Sequence, residues 1–334
     1  MDEIRLGDCL DVLRTQPSDS VDAIVSDPPY GLGTREPSPE QLAAYLQGAS
    51  LDTGGDFMGK EWEIPSVAIW QQCYRVLRPG RHILAFAGTR TWDIMLAGLE
   101  AAGFVRNGAL GEPFGQPVLA WMHGQGFPKS LNIAKAIDKH LGQASRVVAT
   151  ETRYNEPSGI VGLGRERTLI ERDITVPTSE EAKRWEGWGT ALKPAWEPVI
   201  ALRKPGPILP VRGLVLPFLY CPKVTRSEAD AGIDPRLSAL GLSDLERNVH
   251  PTRKPVKLMK WLINAVARSG ELVLDPFCGS GSTGVAAVDI GCDFLGIERD
   301  EIYHKIALKR LEHANASTMA NARNIFEMLM EMDD

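Results

Sequence analysis

The stretch "LVLDPFCGSGSTGVAA" (residues 272–287) reads as a buried strand, a glycine-rich turn and the start of a helix. Gly279, Gly281 and Gly284 fall in G-x-G-x-x-G spacing, and the next strand-like run, "DFLGIE" (293–298), ends on Glu298. Glycines let a backbone approach a ligand closely, and an acid at a strand end can accept both hydroxyls of a ribose. Two ligands satisfy that pattern: a dinucleotide, and S-adenosylmethionine, which carries a ribose but no pyrophosphate. Asp275, just before the loop, repels a pyrophosphate and suits an ammonium group. A turn or capping acid is the plainer account of the same residue.

Outward from this loop, both ends of the chain alternate strands and helices. "DEIRLGD", "VDAIVSD" and "RHILAFAG" read as strands, and "CLDVLRTQP" and "TWDIMLAGLEAAGF" as helices. "SVAIWQQCYRVLRPG" places Val67, Ile69, Trp70, Cys73, Tyr74 and Leu77 on one helical face and stops at Pro79-Gly80. Toward the C-terminus come a helix at "KPVKLMKWLINAVARSG", the opening strand–turn–helix and a closing amphipathic helix at "DEIYHKIALKRLEHA". Residues 34–60 look loop-like with one short helical patch. The pattern predicts an α/β fold: a Rossmann-like, doubly wound, mostly parallel sheet. "PVLAWM" (117–122) and "PVIALR" (198–203) add an antiparallel strand pair, and the roughly 75 residues between them are too many for a plain loop. The expected organisation is 1–124, 125–248 (with the returning strand near 198–203) and 249–334.

Composition narrows the class. The 334 residues are 43% hydrophobic and 24% charged, ordinary for a globular protein. No apolar run reaches the roughly 20 residues of a membrane span. Cys9, Cys73, Cys221, Cys278 and Cys292 are scattered with no C-x-x-C pair, and the six histidines form no ligand cluster, so neither a disulfide framework nor a metal site is expected. A cytoplasmic location follows from that usage. The net charge is −6, yet residues 203–268 carry twelve Lys/Arg against five Asp/Glu, a basic excess suited to phosphates.

"SDPPYG" (26–31) puts a carboxylate, two prolines and an aromatic ring at the end of a buried-type strand. Adjacent prolines lack backbone N–H groups and stiffen the turn. Alone, the motif reads as a capped strand end followed by a proline turn. Together with the glycine loop it resembles the beta-type (permuted) S-adenosylmethionine-dependent DNA amino-methyltransferases, the adenine-N6/cytosine-N4 family. In that family the D-P-P-Y motif, here 27–30, precedes the F-x-G-x-G loop, here 277–281. "GDCLDVL", "YRVLRPG" and "HPTRKPVKLMKWLI" extend the resemblance across both ends of the chain; the middle carries no translatable motif.

The resemblance implies a flipped base whose exocyclic amine attacks a sulfonium methyl directly, with no covalent enzyme intermediate and no metal. Asp27 and the Pro28 carbonyl would accept hydrogen bonds from the amine, Pro29 would fix the turn and Tyr30 would stack on the base. Phe277, Cys278, Gly279 and Gly281 would line the cofactor, with Asp275 on its ammonium, Glu298 on its ribose and Asp8 on its adenine. Asp8 also suits an N-cap. His250 and Lys254, with Thr252 between them, lie in the block beside the cofactor, where a loop leading into a proline-started helix explains them equally well. Cys278 reads as a small filler. Within the family, aspartate at the first motif position favours adenine N6, with cytosine N4 as the alternative; a dinucleotide-dependent oxidoreductase is the distant rival and leaves "DPPY" without a role. The implied partner is double-stranded DNA, with target recognition from 125–190, 204–248 or both, and with Lys129 and Lys135 near aromatics. A homodimer is the frequent assembly of this type, and the sequence is silent on a restriction nuclease partner.

Overall fold

Every residue of Val21–Ser26 is buried, as a strand with helices on both sides must be. The computed structural model describes residues 2–31, 33, 35–54, 63–106, 118–123, 131–154, 169–189, 195–207, 218–233 and 247–332. Lys129, and the parts 208–217 and 234–246 of the basic stretch, lie outside the described residues.

The first half of the chain runs β1 (Asp2–Leu6), α1 (Cys9–Thr15), β2 (Val21–Ser26), α2 (Pro39–Leu46), α3 (Val67–Val76), β3 (Leu77–Phe86), α4 (Trp92–Ala101) and β4 (Val118–Met122). Next come α5 (Ile133–His140), β5 (Arg146–Tyr154), β6 (Leu169–Val176) and α6 (Glu180–Lys183). The remainder is β7 (Trp196–Arg203), β8 (Phe218–Tyr220), α7 (Arg226–Ala229), α8 (Val256–Val266), β9 (Leu272–Asp275), α9 (Ser282–Asp289), β10 (Asp293–Glu298) and α10 (Glu301–Met332).

Eight strands form one sheet in the order β1-β10-β9-β2-β3-β7-β4-β8. Neighbours from β1 to β3 are parallel; β7 alone runs against its neighbours, β3 on one side and β4 on the other. This is the doubly wound, mostly parallel sheet with an antiparallel pair expected from the sequence. The first strand lies beside the last, so the two chain ends close one half of the sheet together.

Alternate residues of each central strand feed two cores. Ala23, Val25, Leu84, Phe86, Val199, Ala201 and Val273 pack with α8, α9 and α10. Ile24, Ile83, Ala85, Ile200, Leu202 and Leu274 pack on the other face with α1, α3 and α4. Each fully buried aliphatic side chain contributes roughly 1.5–3 kcal/mol, so the two layers together fix the register of the central strands.

Local chemistry sets the element ends. Asp8 caps α1 by accepting from the amides of Leu10 and Asp11, and Ser38 with Gln41 forms a capping box ahead of Pro39 in α2. Helix α3 ends at Val76, earlier than the Pro79-Gly80 stop expected, and β3 begins at once with Leu77 paired to Val21. The residue before a proline is driven out of helical geometry, so Arg78 is already extended. The closing helix reaches Met332, well past the amphipathic segment read from the sequence.

Two compact units divide the chain: Met1–His123 with Trp196–Asp334, and Gly124–Ala195. The returning strand β7 therefore belongs to the sheet unit. In the smaller unit β5 and β6 pair antiparallel over eight partners with one irregularity near Val147. Buried Asp138 of α5 accepts from the Ser179 hydroxyl and from the amides of Thr178 and Ser179, with Ser145 also donating. Those donors, the Ser179 hydroxyl foremost, hold its carboxyl down at about 2. Trp185 and Trp188 stand exposed, their rings edge to face at 5.9 Å.

Candidate active site

In an open parallel sheet, side chains at the carboxyl ends of central strands face a common crevice. Strands β2 and β9 are such neighbours, paired Ala23 to Val273 and Ile24 to Leu274. Their ends are tied directly: the Ser26 hydroxyl donates to Asp275 Oδ1 at 2.5 Å. The Thr283 hydroxyl donates to Asp275 Oδ2 and the Phe277 amide to Oδ1, so a carboxylate only 1% exposed has three protein donors. Burial pushes its carboxyl up to about 6 against the pull of those donors. Asp275 thus joins the D-P-P-Y strand, the glycine turn and the first turn of α9.

The turn needs its glycines. Gly279 and Gly281 have φ of +55° and +78°, values that side-chain-bearing residues rarely adopt. A Cβ on Gly279 would stand 2.8 Å from His250 Nε2, and one on Gly284 would stand 2.7 Å from the Phe294 ring. The first two glycines shape the turn against its surroundings, and the third lets α9 lie close on β10. Arg310 of α10, almost wholly buried, braces the loop from below by donating to the Ser280 carbonyl at 2.6 Å.

Glu298 accepts from the amides of Gly279 at 2.7 Å and Asp300 at 2.8 Å, and burial raises its carboxyl despite those bonds. One donating amide on each oxygen leaves lone pairs on both for further donors. Asp8 lies at the neighbouring strand end, beside the Gly7 amide that bonds the Glu298 carbonyl at 2.9 Å. His250 packs edge to face on Tyr303 at 4.6 Å and covers the Gly279 turn. Phe277 meets Trp70 edge to face at 6.0 Å. The Cys278 thiol is buried, which raises it far above its ordinary range and makes it an inert filler.

Across the crevice, Asp27 is met from two sides. Lys254 donates to Oδ2 at 2.5 Å, and the Tyr30 hydroxyl donates to Oδ1 at 2.7 Å. Both donors also reach Glu197 at the start of β7: the hydroxyl at 3.0 Å and the ammonium at 3.4 Å from Oε2. His123 Nε2 lies 3.7 Å from Glu197 Oε1. The Lys254 ammonium also sits over the rings of Phe86, Tyr30 and Trp121 at 4.9, 5.4 and 5.9 Å. Burial acts to discharge Lys254, but Asp27 and Glu197 outweigh it and keep the ammonium charged. Burial raises the Asp27 carboxyl, with Lys254 opposing and Glu197 adding to the rise. For Glu197 burial also acts upward, yet Lys254 and Lys223 win and hold it low. The Pro28 ring is buried, and the Thr91 hydroxyl fixes the turn by donating to the Tyr30 carbonyl at 2.6 Å.

The structure therefore brings Asp27, Tyr30 and Lys254 together on one side, and Asp275, Gly279, Gly281, Glu298 and His250 on the other. Lys254, expected beside the cofactor, ion-pairs with Asp27. Glu197 and His123 escaped the sequence reading. The one available signal was an acid, Glu197, ahead of the apolar run in "WEPVIALR". The basic excess of 203–268 is only partly a surface. Lys204 is spent on Asp19 and on the carbonyls of Arg75 and Leu77, Arg253 on the Asn248 carbonyl, Lys254 on Asp27 and Lys260 on Asp289. Among the described residues no cluster of His, Cys, Asp and Glu has metal-holding geometry, and no helix is long and apolar enough to cross a membrane.

Comparison with known proteins gives concordant results. A family model described as DNA methylase matches residues 21–309. The chain is 26% identical over 318 residues to the putative methylase YubD of Escherichia coli K12, spanning 95% of this chain and 93% of that one. It is 43% identical over 77 residues to the DNA adenine methyltransferase YhdJ of the same organism, a match covering 22% of this chain and 26% of the other. Among solved structures, the cytosine-N4-specific PvuII DNA methyltransferase superposes with a TM-score of 0.54 at 14% identity, over 92% of this chain and 86% of that one, which is a likeness of fold.

Proposed function

Because this chain belongs to the N6/N4 DNA methylase family, whose model spans residues 21–309, we propose that it moves a methyl group from S-adenosylmethionine to adenine N6 of double-stranded DNA. The observation that carries the reading is the 2.5 Å bond from Ser26 to Asp275, which sets the acceptor motif and the glycine loop on adjacent strand ends. The local similarity to YhdJ, which its name describes as an adenine enzyme, and the aspartate at position 27 favour adenine over cytosine N4.

The glycine side fits a cationic, ribose-bearing cofactor. Its two flanking carboxylates, Asp275 and Glu298, oppose a pyrophosphate, and Glu298 keeps lone pairs for ribose hydroxyls. When bound, S-adenosylmethionine supplies an electrophilic methyl group. Gly279, Gly281, Phe277 and the backbone at Cys278 would line it, Glu298 would hold its sugar, Asp8 its adenine and Asp275 the region of its ammonium, with His250 closing the turn above. On the other side, Asp27 and the Pro28 carbonyl accept from the target amine. That localises the nitrogen lone pair and takes up positive charge as it develops. The proline pair holds both acceptors in place before the base arrives, and Tyr30 offers a ring for stacking.

In this reading residues 1–124 carry the catalytic half and 249–334 the cofactor half, and base recognition lies in 125–248. Within that middle region, the exposed Trp185 and Trp188 are suited to contact with DNA bases. Cys9, Cys73, Cys221, Cys278 and Cys292 are all buried and unbridged, which favours a reducing compartment such as the cytoplasm. The test is incubation of unmethylated DNA with labelled S-adenosylmethionine followed by nucleoside mass spectrometry, with Asp27→Ala as control. N6-methyldeoxyadenosine made only by the wild type is expected. N4-methyldeoxycytidine would overturn the base assignment, and no methylated nucleoside would overturn the reading.

A further inference from the structure

Asp27 would serve as an acceptor for a substrate amine, yet each of its oxygens already accepts one buried donor that crowds the approach. Lys254 Nζ stands 2.5 Å from Oδ2, the position an amine nitrogen would occupy, and the Tyr30 hydroxyl stands 2.7 Å from Oδ1. Displacing a buried ammonium and a hydroxyl with nowhere to go would leave unpaired polar groups in a buried setting. Both donors already have a second acceptor in reach. The Tyr30 hydroxyl is 3.0 Å from Glu197 Oε2, and Lys254 Nζ is 3.4 Å from the same oxygen. A tyrosine hydroxyl carries one proton, so it can donate to only one of the two carboxylates at a time.

Resting on the methyltransferase reading above, we propose that Glu197 is a positioning residue that takes Lys254 and Tyr30 from Asp27 as the flipped base enters. Lys254 is a placeholder until the base arrives: its ammonium holds the amine position beside Asp27 and Glu197. When the base amine claims Asp27, the hydroxyl rotates its donated proton to Glu197. The ammonium closes its 3.4 Å separation from Glu197 to an ordinary ion-pair distance of about 2.8 Å. No proton changes owner, and the number of satisfied donors stays constant. His123, 3.7 Å from the other Glu197 oxygen, and the three rings around Lys254 keep the two end positions close together.

Glu197→Gln keeps the shape but removes the charge and one acceptor oxygen. Its single-turnover methyl transfer should fall by about 10-fold to 100-fold, the scale of a lost charge-assisted hydrogen bond, with cofactor affinity and thermal midpoint unchanged. The decisive readout is the double variant. Tyr30→Phe in the Glu197→Gln background removes one of the groups competing for Asp27 and should restore part of the lost rate. A residue that merely supported the tyrosine would show no such recovery. Glu197→Asp, which retracts the carboxylate by one methylene, carries the same test with a smaller loss should the amide variant not fold. Wild-type rates in both Glu197 variants, a rate loss that tracks a loss of thermal stability, or a Tyr30→Phe change that deepens the defect would each overturn the proposal. A wild-type chain that methylates no DNA would instead overturn the reading beneath it.

Discussion

Asp27 and Asp275 each close a buried parallel strand, and the two strands are neighbours, yet their carboxylates sit in opposite surroundings. Asp275 is enclosed by two hydroxyls and an amide, all of them neutral donors. Asp27 faces an ammonium at 2.5 Å and a second carboxylate that shares its donors, and its side chain keeps 17% of its surface exposed. Neutral donors fastened around a buried carboxylate make a brace. A cation with a second carboxylate in reach makes, under the proposal above, an acceptor that can be vacated. The same residue type at equivalent strand ends is thus assigned two jobs by its neighbours alone.

The sharpest way to break this contrast is to truncate each aspartate. In the proposed reading Asp27→Ala removes a charge-stabilising acceptor from the transition state and should lower methyl transfer by about 10³-fold, the scale of losing a preorganised group of this kind. Radiolabel transfer to DNA measures it. Residual activity within tenfold of wild type would place the chemistry elsewhere.

Asp275→Asn should act on stability. The folded-state carboxyl is raised to about 6 from an ordinary 3.8. The folded protein therefore binds this proton more tightly than the unfolded chain. That contribution is fully present below the unfolded value and is lost as pH rises through about 6. Measured against Asp275→Asn by denaturant unfolding, the wild type should lose on the order of 3 kcal/mol between pH 4 and pH 7. A difference that is flat across that window would show that the enclosed carboxylate is not the strained member of the pair.

The smallest effect is expected from the separate compact unit. Replacing both Trp185 and Trp188 by alanine should weaken DNA binding about threefold to tenfold, the low end of base–aromatic stacking at an exposed site. Cofactor affinity should not change. Fluorescence anisotropy on a duplex measures the binding, and unchanged affinity would remove these rings from the recognition surface.

Much of the sheet unit was legible because its signals are local. The three glycines, the apolar strand "LVLD" at 272–275 and the proline pair after 27 each report on a few adjacent residues. Glu197 is different. It lies 167 positions from Tyr30, and the antiparallel pairing of β7 with β3 and β4 carries it to the crevice. Lys254 was visible as a residue of the "HPTRKP" block, but its reach to Asp27, 227 positions away, is a tertiary fact. The β5–β6 pair escaped because "RVVATETRY" and "LIERDITV" mix charges into both faces.

The most direct test of the division of labour between the two strand ends is to measure S-adenosylmethionine affinity and methyl transfer side by side on wild type and Asp27→Ala. The account predicts a dissociation constant within about twofold of wild type and a transfer rate lower by about 10³-fold. Parallel loss of both, or transfer that persists with affinity intact, would contradict it.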